Sequence, residues 1–339
     1  MPVTIRDLAN RLNLSITQVS RALSGYSDVS DATREKVTQA AREMGYEPSY
    51  AARQLRRKRA DAIGYILPTS SPRFSDPFYA NFLTGLCDEA AKHQIDLVVA
   101  SCPPESELEE TMYQRWSQST RVDGIVINRV RIHDWRVDYL AQNQMPFVTL
   151  GIPESNHEFP AIQVNERGGF ERMALHLKEK GHKRIAFIGG PPELVIQRER
   201  FAGYKQGLSA AGLDYDDGLV IEGNLTEDGG YNAARKLLGG VNPPTAIMAC
   251  NDQSAIGAMR AAKEGGCKIG ERFSVTGYDG IREAEYADPP LTTLYQPTYE
   301  IARQLTAMLV NLINHEPISP LHRQIEPELI IRASTEARN

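Results

Sequence analysis

The chain of 339 residues predicts a two-part fold: a small all-α head with a helix-turn-helix plan, followed by a large α/β body of two doubly wound lobes. Two observations carry this expectation. The first 45 residues hold three capped helical patterns. From Ala62 onward, short apolar runs alternate with helical stretches, the pattern of parallel sheets covered on both faces. A third observation, charge, divides the chain at the same place. Residues 1–60 carry 11 Lys and Arg against 6 Asp and Glu, leaving 27 against 37 for the remainder, so a basic head precedes an acidic body. A net charge of −5 would by itself argue against nucleic acid, but its distribution fits a head that touches phosphates and a body that does not.

In the head, Thr4-Ile-Arg-Asp7 sets a Thr-x-x-acid cap before Ile5, Leu8, Ala9 and Leu12, predicting a first short helix. Ser15 stands three residues before Gln18, a second capping box, and Ile16, Val19, Ala22 and Leu23 recur at helical spacing. Gly25-Tyr26-Ser27-Asp28 breaks the pattern. Ser30 then caps a third helix whose Val37, Ala40, Ala41 and Met44 face inward before Gly45 ends it. In a helix-turn-helix the second helix enters the major groove, so Ile16, Thr17, Gln18 and Arg21 are the candidate base readers. Gln pairs bidentately with adenine and Arg with guanine, while Ile offers apolar contact to a thymine methyl. The hydroxyls of Ser15, Ser20 and Thr33 suit phosphate, and Thr4 joins this contact set at the start of the first helix. Spacing alone leaves a three-helix protein-interaction bundle open.

The body runs through Ala62–Leu67, a helix from Phe78 to His93, then Leu97–Ala100, Gly124–Ile127 and Phe147–Leu150. It resumes with Arg184–Gly189, Thr245–Ala249 and Phe273–Thr276, and a lobe crossover is expected near 155–163, with another near 292–296. Ligands in such folds bind at the carboxyl ends of the strands, here between the lobes.

Composition excludes other classes. Cys87, Cys102, Cys250 and Cys267 lie far apart with no histidine at metal-ligand spacing, so neither a disulfide framework nor a metal site is indicated, and no cofactor is implied. Met1 to Ser15 lacks an apolar h-region and no run reaches the roughly 20 apolar residues of a membrane span, so a cytoplasmic protein without a membrane partner is expected. No GxSxG, HExxH, Walker A or GxGxxG motif occurs, and a non-enzyme is expected.

Thr4-Ile-Arg-Asp-Leu-Ala9, Leu14-Ser15, Gln18-Val-Ser-Arg-Ala-Leu23, Val29-Ser30, Thr33-Arg34, Val37 and Gly45-Tyr46 resemble, in order and without gaps, the head signature of the lactose-repressor (LacI/GalR) family. Pro48-Ser-Tyr-Ala-Ala-Arg-Gln-Leu55 is similar to that family's hinge motif PNxxARxL, with Ser49 where Asn is usual. The resemblance implies a head over 1–47, a hinge helix and linker over 48–60, and an effector-binding and dimerisation domain over 61–339. It also implies hinges from two subunits paired in the minor groove, with Ser49, Ala52 and Arg53 at the DNA and Leu55 wedged into the central base step. Apolar wedges of this kind kink a duplex.

Gly181-His-Lys-Arg-Ile-Ala186, Arg198-Glu-Arg-Phe-Ala-Gly-Tyr204, Asn251-Asp252, Val275-Thr-Gly-Tyr-Asp279 and Leu291-Thr-Thr-Leu-Tyr-Gln296 resemble the same family's effector domain, which is periplasmic-binding-protein-like (type I). The positions matching Arg200, Asn251 and Asp279 bind effector hydroxyls in its sugar-responsive members. Asp76, Phe78, Asn128, Arg129 and Gln296 fall at or just after strand ends and complete the candidate effector set, with Trp135 and Tyr295 as further rings for a sugar face. Asp279 and Asn251 could equally cap the helices that follow them. The cationic stretch Asn128-Arg-Val-Arg131 could instead serve an acidic ligand. The family reading implies a homodimer on a pseudo-palindromic operator, probing DNA under allosteric control by a small molecule, with a sugar (an oligosaccharide or α-glucoside) preferred. A purine-type or other corepressor, a partner protein, and a sugar receptor without a DNA role are the alternatives.

Overall fold

The computed structural model describes residues 3–23, 25–46, 59–69 and 76–336. The chain forms two compact units, Met1–Ala60 and Asp61–Asn339. The hinge residues Ser49, Ala52, Arg53 and Leu55 lie outside the described residues.

The first unit contains α1 (Ile5–Leu12), α2 (Ile16–Leu23) and α3 (Asp31–Met44). Thr4 and Asp7 form the reciprocal box at the start of α1, with Asp7 N donating to Thr4 Oγ1 at 3.3 Å and Thr4 N to the Asp7 carboxylate at 2.9 Å. Ser15 and Gln18 repeat the arrangement ahead of α2, at 3.0 and 3.1 Å. Such boxes satisfy the orphan amides that every helix start exposes. Asn13 (φ 51°) and Gly45 (φ 65°) end α1 and α3 in the left-handed region. Leu8, Ala9, Val19, Ala22, Val37, Ala40 and Ala41 form the core these three amphipathic faces share.

The second unit holds two six-stranded sheets. The first is built from β1 (Ala62–Pro68), β2 (Asp96–Cys102), β3 (Gly124–Ile127), β4 (Phe147–Leu150), β5 (Ala161–Val164) and β11 (His322–Ile325). Its order is β11-β5-β4-β3-β1-β2 and every pair is parallel. Helices α4 (Pro77–Lys92), α5 (Glu107–Ser117) and α6 (Trp135–Gln142) connect its strands. The second sheet is built from β6 (Ile185–Ile188), β7 (Val220–Ile221), β8 (Ala246–Ala249), β9 (Ser274–Asp279), β10 (Thr292–Tyr295) and β12 (Glu328–Ile330). Its order is β12-β10-β9-β8-β6-β7, parallel except for β12 on β10. The helices α7 (Glu166–Glu179), α8 (Val195–Ala210), α9 (Glu227–Leu238), α10 (Asp252–Glu264) and α11 (Arg282–Tyr286) belong to this lobe, and α12 (Thr298–Ile313) returns to the first, packing on α4, β3 and β4.

The strands β1, β3, β6, β8 and β9 are buried along their whole length, as continuous apolar runs in doubly covered sheets must be. The chain leaves the first sheet only after Val164, just beyond the 155–163 stretch, because β5 there completes that sheet. It leaves the second after Tyr295, and crosses a third time between Ile325 and Glu328, a passage the apolar pattern does not show. At Gly85, where α4 meets α12, a Cβ would run into the Tyr299 carbonyl oxygen, so the close approach of the two helices requires glycine.

Candidate functional sites: the head surface and the interlobe cleft

On the head, the start of α2 is presented outward. Ile16, Thr17 and Gln18 are exposed, and a large apolar residue 42% exposed at Ile16 is unusual in so small a core. The capping box occupies the carboxamide oxygen of Gln18, which also accepts from Ser15 Oγ at 3.1 Å. Its amide nitrogen is left outside the box, and bidentate pairing with a base would require the box to open. Arg21 is held by Asp28 at 2.5 Å and lies over the Tyr26 ring at 4.7 Å, a clamp built by the turn after α2. Thr33 is hydrogen-bonded to Ser30 at 2.8 Å, and Thr4 and Ser15 are exposed at their helix starts. Ser20 corrects the expectation: it is only 4% exposed, because it shares the inward face of α2 with Val19, and it does not join Ser15 and Arg21 at the surface.

In the body, candidate residues sit at the carboxyl ends of the strands of both sheets. Asp76 caps α4, accepting from Phe78 N at 3.0 Å, and burial raises its carboxyl pKa. Asn128 is buried at the carboxyl end of β3 beside Tyr65, and among the described residues its Nδ2 has no geometrically formed hydrogen bond. Arg129 adopts φ 47° and hydrogen-bonds the Tyr79 hydroxyl. Gly151 adopts φ 97°, and a Cβ there would stand 2.7 Å from Val130 Cγ2, so no side chain fits where the strand ends.

Arg131 is engaged within the fold. Its Nη2 donates to Glu109 at 2.7 Å, and Glu109 also accepts from Arg136, which is paired in turn with Asp134 at 2.6 Å. All four are buried, so the Arg131 charge is compensated within an internal ion network, of which Arg129 is not a part. Trp135 is likewise removed from the cleft, packed edge-on against Tyr113 and Tyr139.

In the second lobe Arg200 is buried, donating from Nη1 to the Cys250 carbonyl at 2.7 Å and from Nη2 to Glu166 at 3.2 Å, with its guanidinium 3.8 Å over the Tyr278 ring. Asn251 is a cap: its Oδ1 accepts from Ser254 N at 3.1 Å and its Nδ2 donates to the Leu225 carbonyl at 3.0 Å, so both ends of its amide are used within the fold. Asp252 accepts from Thr293 Oγ1 at 2.6 Å and from Ile281 N at 2.9 Å, and burial pushes its carboxyl up to about 7. It thereby shapes the loop after β9. Gly277 is glycine because a Cβ would collide with that carboxyl.

Asp279 sits at that loop with φ 115°, a conformation costly for a residue with a Cβ and found where function over-determines the backbone. Gln296 Nε2 donates to its Oδ1 at 2.7 Å. Burial drives the Asp279 pKa well above the usual carboxylate range, against the pull of Arg200.

Phe78, Asp279 and Gln296 line one cavity of about 240 Å³, joined there by Asn81, Tyr295 and Tyr299. Asp76, Asn128, Arg129 and Arg200 lie outside its lining, although Asp76 and Arg200 are close enough to act electrostatically on Asp279. Asn81, one turn into α4, and Tyr299, the second residue of α12, escape sequence reading because they follow strand ends that look more informative. Among the described residues no group of His, Cys, Asp and Glu could hold a metal ion, and no helix is long and apolar enough to cross a membrane.

Both parts of the chain match known families. Residues 4–49 match the family described as bacterial regulatory proteins, lacI family, and 174–335 match the periplasmic binding protein-like domain. The HTH-type transcriptional regulator AglR of Rhizobium meliloti (strain 1021) is 34% identical over 99% of this chain and 95% of its own length. The HTH-type transcriptional regulator CelR of Thermobifida fusca is 33% identical over 93% of each. Among solved structures, a transcriptional regulator CelR–cellobiose complex superposes with a TM-score of 0.76 at 31% identity, covering 98% of this chain and 99% of that one. The Lac repressor dimer bound to operator and the anti-inducer ONPF does so at 0.84 and 27%, covering 99% and 100%. With a capped helix-turn-helix ahead of two largely parallel sheets and this likeness over nearly its whole length, the chain belongs to the LacI family of DNA-binding transcriptional regulators.

Proposed function

We propose that the chain is a cytoplasmic repressor that binds a pseudo-palindromic operator as a homodimer and releases it in response to a sugar held between the lobes, without catalysing a reaction. The observation that carries this reading is the cavity at the strand ends. It joins a strained acid, Asp279, and a buried amide, Gln296, to the Phe78 ring, the mixture of fixed polar groups and an apolar face that holds a polyhydroxylated ring. The relatives support it: one is solved with cellobiose and one as a dimer on its operator. Two identical heads reading two half-sites require a two-fold assembly. A sugar that favours one lobe arrangement shifts operator affinity through reciprocal coupling, typically by about 1–3 kcal/mol.

The test is a thermal-shift screen of the full chain against neutral sugars, sugar phosphates and purines, followed by operator binding with each stabilising compound. A stabilising sugar that lowers operator affinity supports the proposal. Stabilisation by purines alone, or a sugar hit that leaves operator binding unchanged, refutes the sugar-induced repressor.

A further inference from the structure

The cleft contains two chemically different zones. Its floor is buried and polar, with Asp279 and Gln296 bonded to each other. Its rim is aromatic and open: Tyr295 and Tyr299 are 39% and 41% exposed, and Phe78, stacked on Phe82 at 5.7 Å, is half-buried. Gly280 lets Tyr295 lie against the loop, since a Cβ would stand 2.6 Å from the Tyr295 ring. The Tyr299 hydroxyl donates to Asp88 at 2.8 Å and the Arg303 guanidinium lies 6.0 Å from the ring centroid, so the ring is held from its outer end and from one face.

Among the described residues no lysine or arginine lines the cavity. Its single acid, Asp279, is held towards its neutral form by burial. Outside the lining, Arg200 is occupied by Glu166 and the Cys250 carbonyl, and Arg129 is bonded to the Tyr79 hydroxyl. A phosphate entering here would lose its water without gaining a cation, a large desolvation penalty. Exposed aromatic faces beside hydrogen-bonding groups instead fit an uncharged ring with an apolar C–H face.

We propose that Tyr295 and Tyr299 form an outer subsite that stacks on the second unit of an uncharged di- or oligosaccharide, while Asp279 and Gln296 hold the first. This rests on the sugar-effector reading above and adds ligand size and charge to it. With no cation among the described lining residues, a phosphorylated sugar is expected to bind more weakly than its neutral counterpart.

Calorimetry on the full chain with glucose, cellobiose, maltose, trehalose and trehalose 6-phosphate tests this, alongside Tyr295→Ala, Tyr299→Ala and Tyr299→Phe. One disaccharide should bind at least about tenfold more tightly than glucose, and either alanine variant should weaken it about tenfold while leaving glucose binding unchanged. Tyr299→Phe, which keeps the ring, should bind as the parent does. Equal loss of glucose and disaccharide, no loss, or tighter binding of the phosphorylated sugar overturns the outer subsite while leaving a sugar effector in place. No binding of any saccharide by a protein with a normal melting transition overturns the sugar reading itself, and this inference with it.

Discussion

Asp252 and Arg200 show how single residues in this cleft carry both structure and charge. Asp252 titrates at about 7 in the fold, against about 3.9 for a free aspartate. Between those values the folded chain binds more protons than the unfolded one, so this group's contribution to stability falls as pH rises from about 4 to about 7 and is level above that, with at most about 1.4 kcal/mol lost per unit. Asp252→Asn keeps an acceptor for Ile281 N and a polar partner for Thr293 but has no proton to exchange. Urea unfolding at pH 5 and pH 8 should show the parent losing stability relative to the variant; parallel changes in the two proteins would sink the assignment. Arg200 is the opposite case, a buried cation that compensates Glu166. Arg200→Met should lower unfolding free energy by about 3 kcal/mol, and adding Glu166→Gln should restore part of it by removing the stranded acid. If the double variant is no more stable than the single, the pair is not the source of the loss.

Among the elements, α2 has the clearest division between scaffold and reader. Gln18 caps the helix with its oxygen and offers its nitrogen outward, so Gln18→Glu retains the cap and removes the outward donor. The variant should keep the parent's thermal midpoint yet lose about 1–3 kcal/mol of operator affinity in an anisotropy titration. A lowered midpoint with the operator preference intact would make Gln18 a cap only. The same scale shows what could be read in advance. The helices of the head were legible because their boxes and apolar spacing are local, and β1, β3, β4, β6, β8 and β9 because burial on both faces writes them as apolar runs. The strands β11 and β12, His-Arg-Gln-Ile and Glu-Leu-Ile, carry no such run, since they are short and partly exposed. For the cleft, strand ends pointed to Asp279, Gln296 and Phe78, but not to the fate of Arg131. Its partner Glu109 is 22 residues away and meets it only through the fold.

At the scale of the whole molecule, charge and function divide together. The basic head and segment 1–60 supply the phosphate-facing charge, so operator and random-sequence affinity should both fall steeply with salt. Leu55→Ala should separate the two, weakening operator binding by about tenfold or more while leaving random DNA little affected, because an apolar wedge acts only where a kinked step is seated. Equal loss on both duplexes would remove the wedge from this chain's recognition scheme.

The three passages between the sheets carry a consequence for how such a protein can change over time. The head is attached by one length of chain, and a single recombination event near residue 60 exchanges it intact. Each lobe, by contrast, is assembled from separated stretches of the gene, with β11 and β12 giving the last strand to one sheet and then the other within nine residues, 322–330. No single breakpoint in the body yields a whole lobe. A new operator can therefore be acquired by shuffling, whereas a new effector must be reached by point substitution within an inherited pair of lobes.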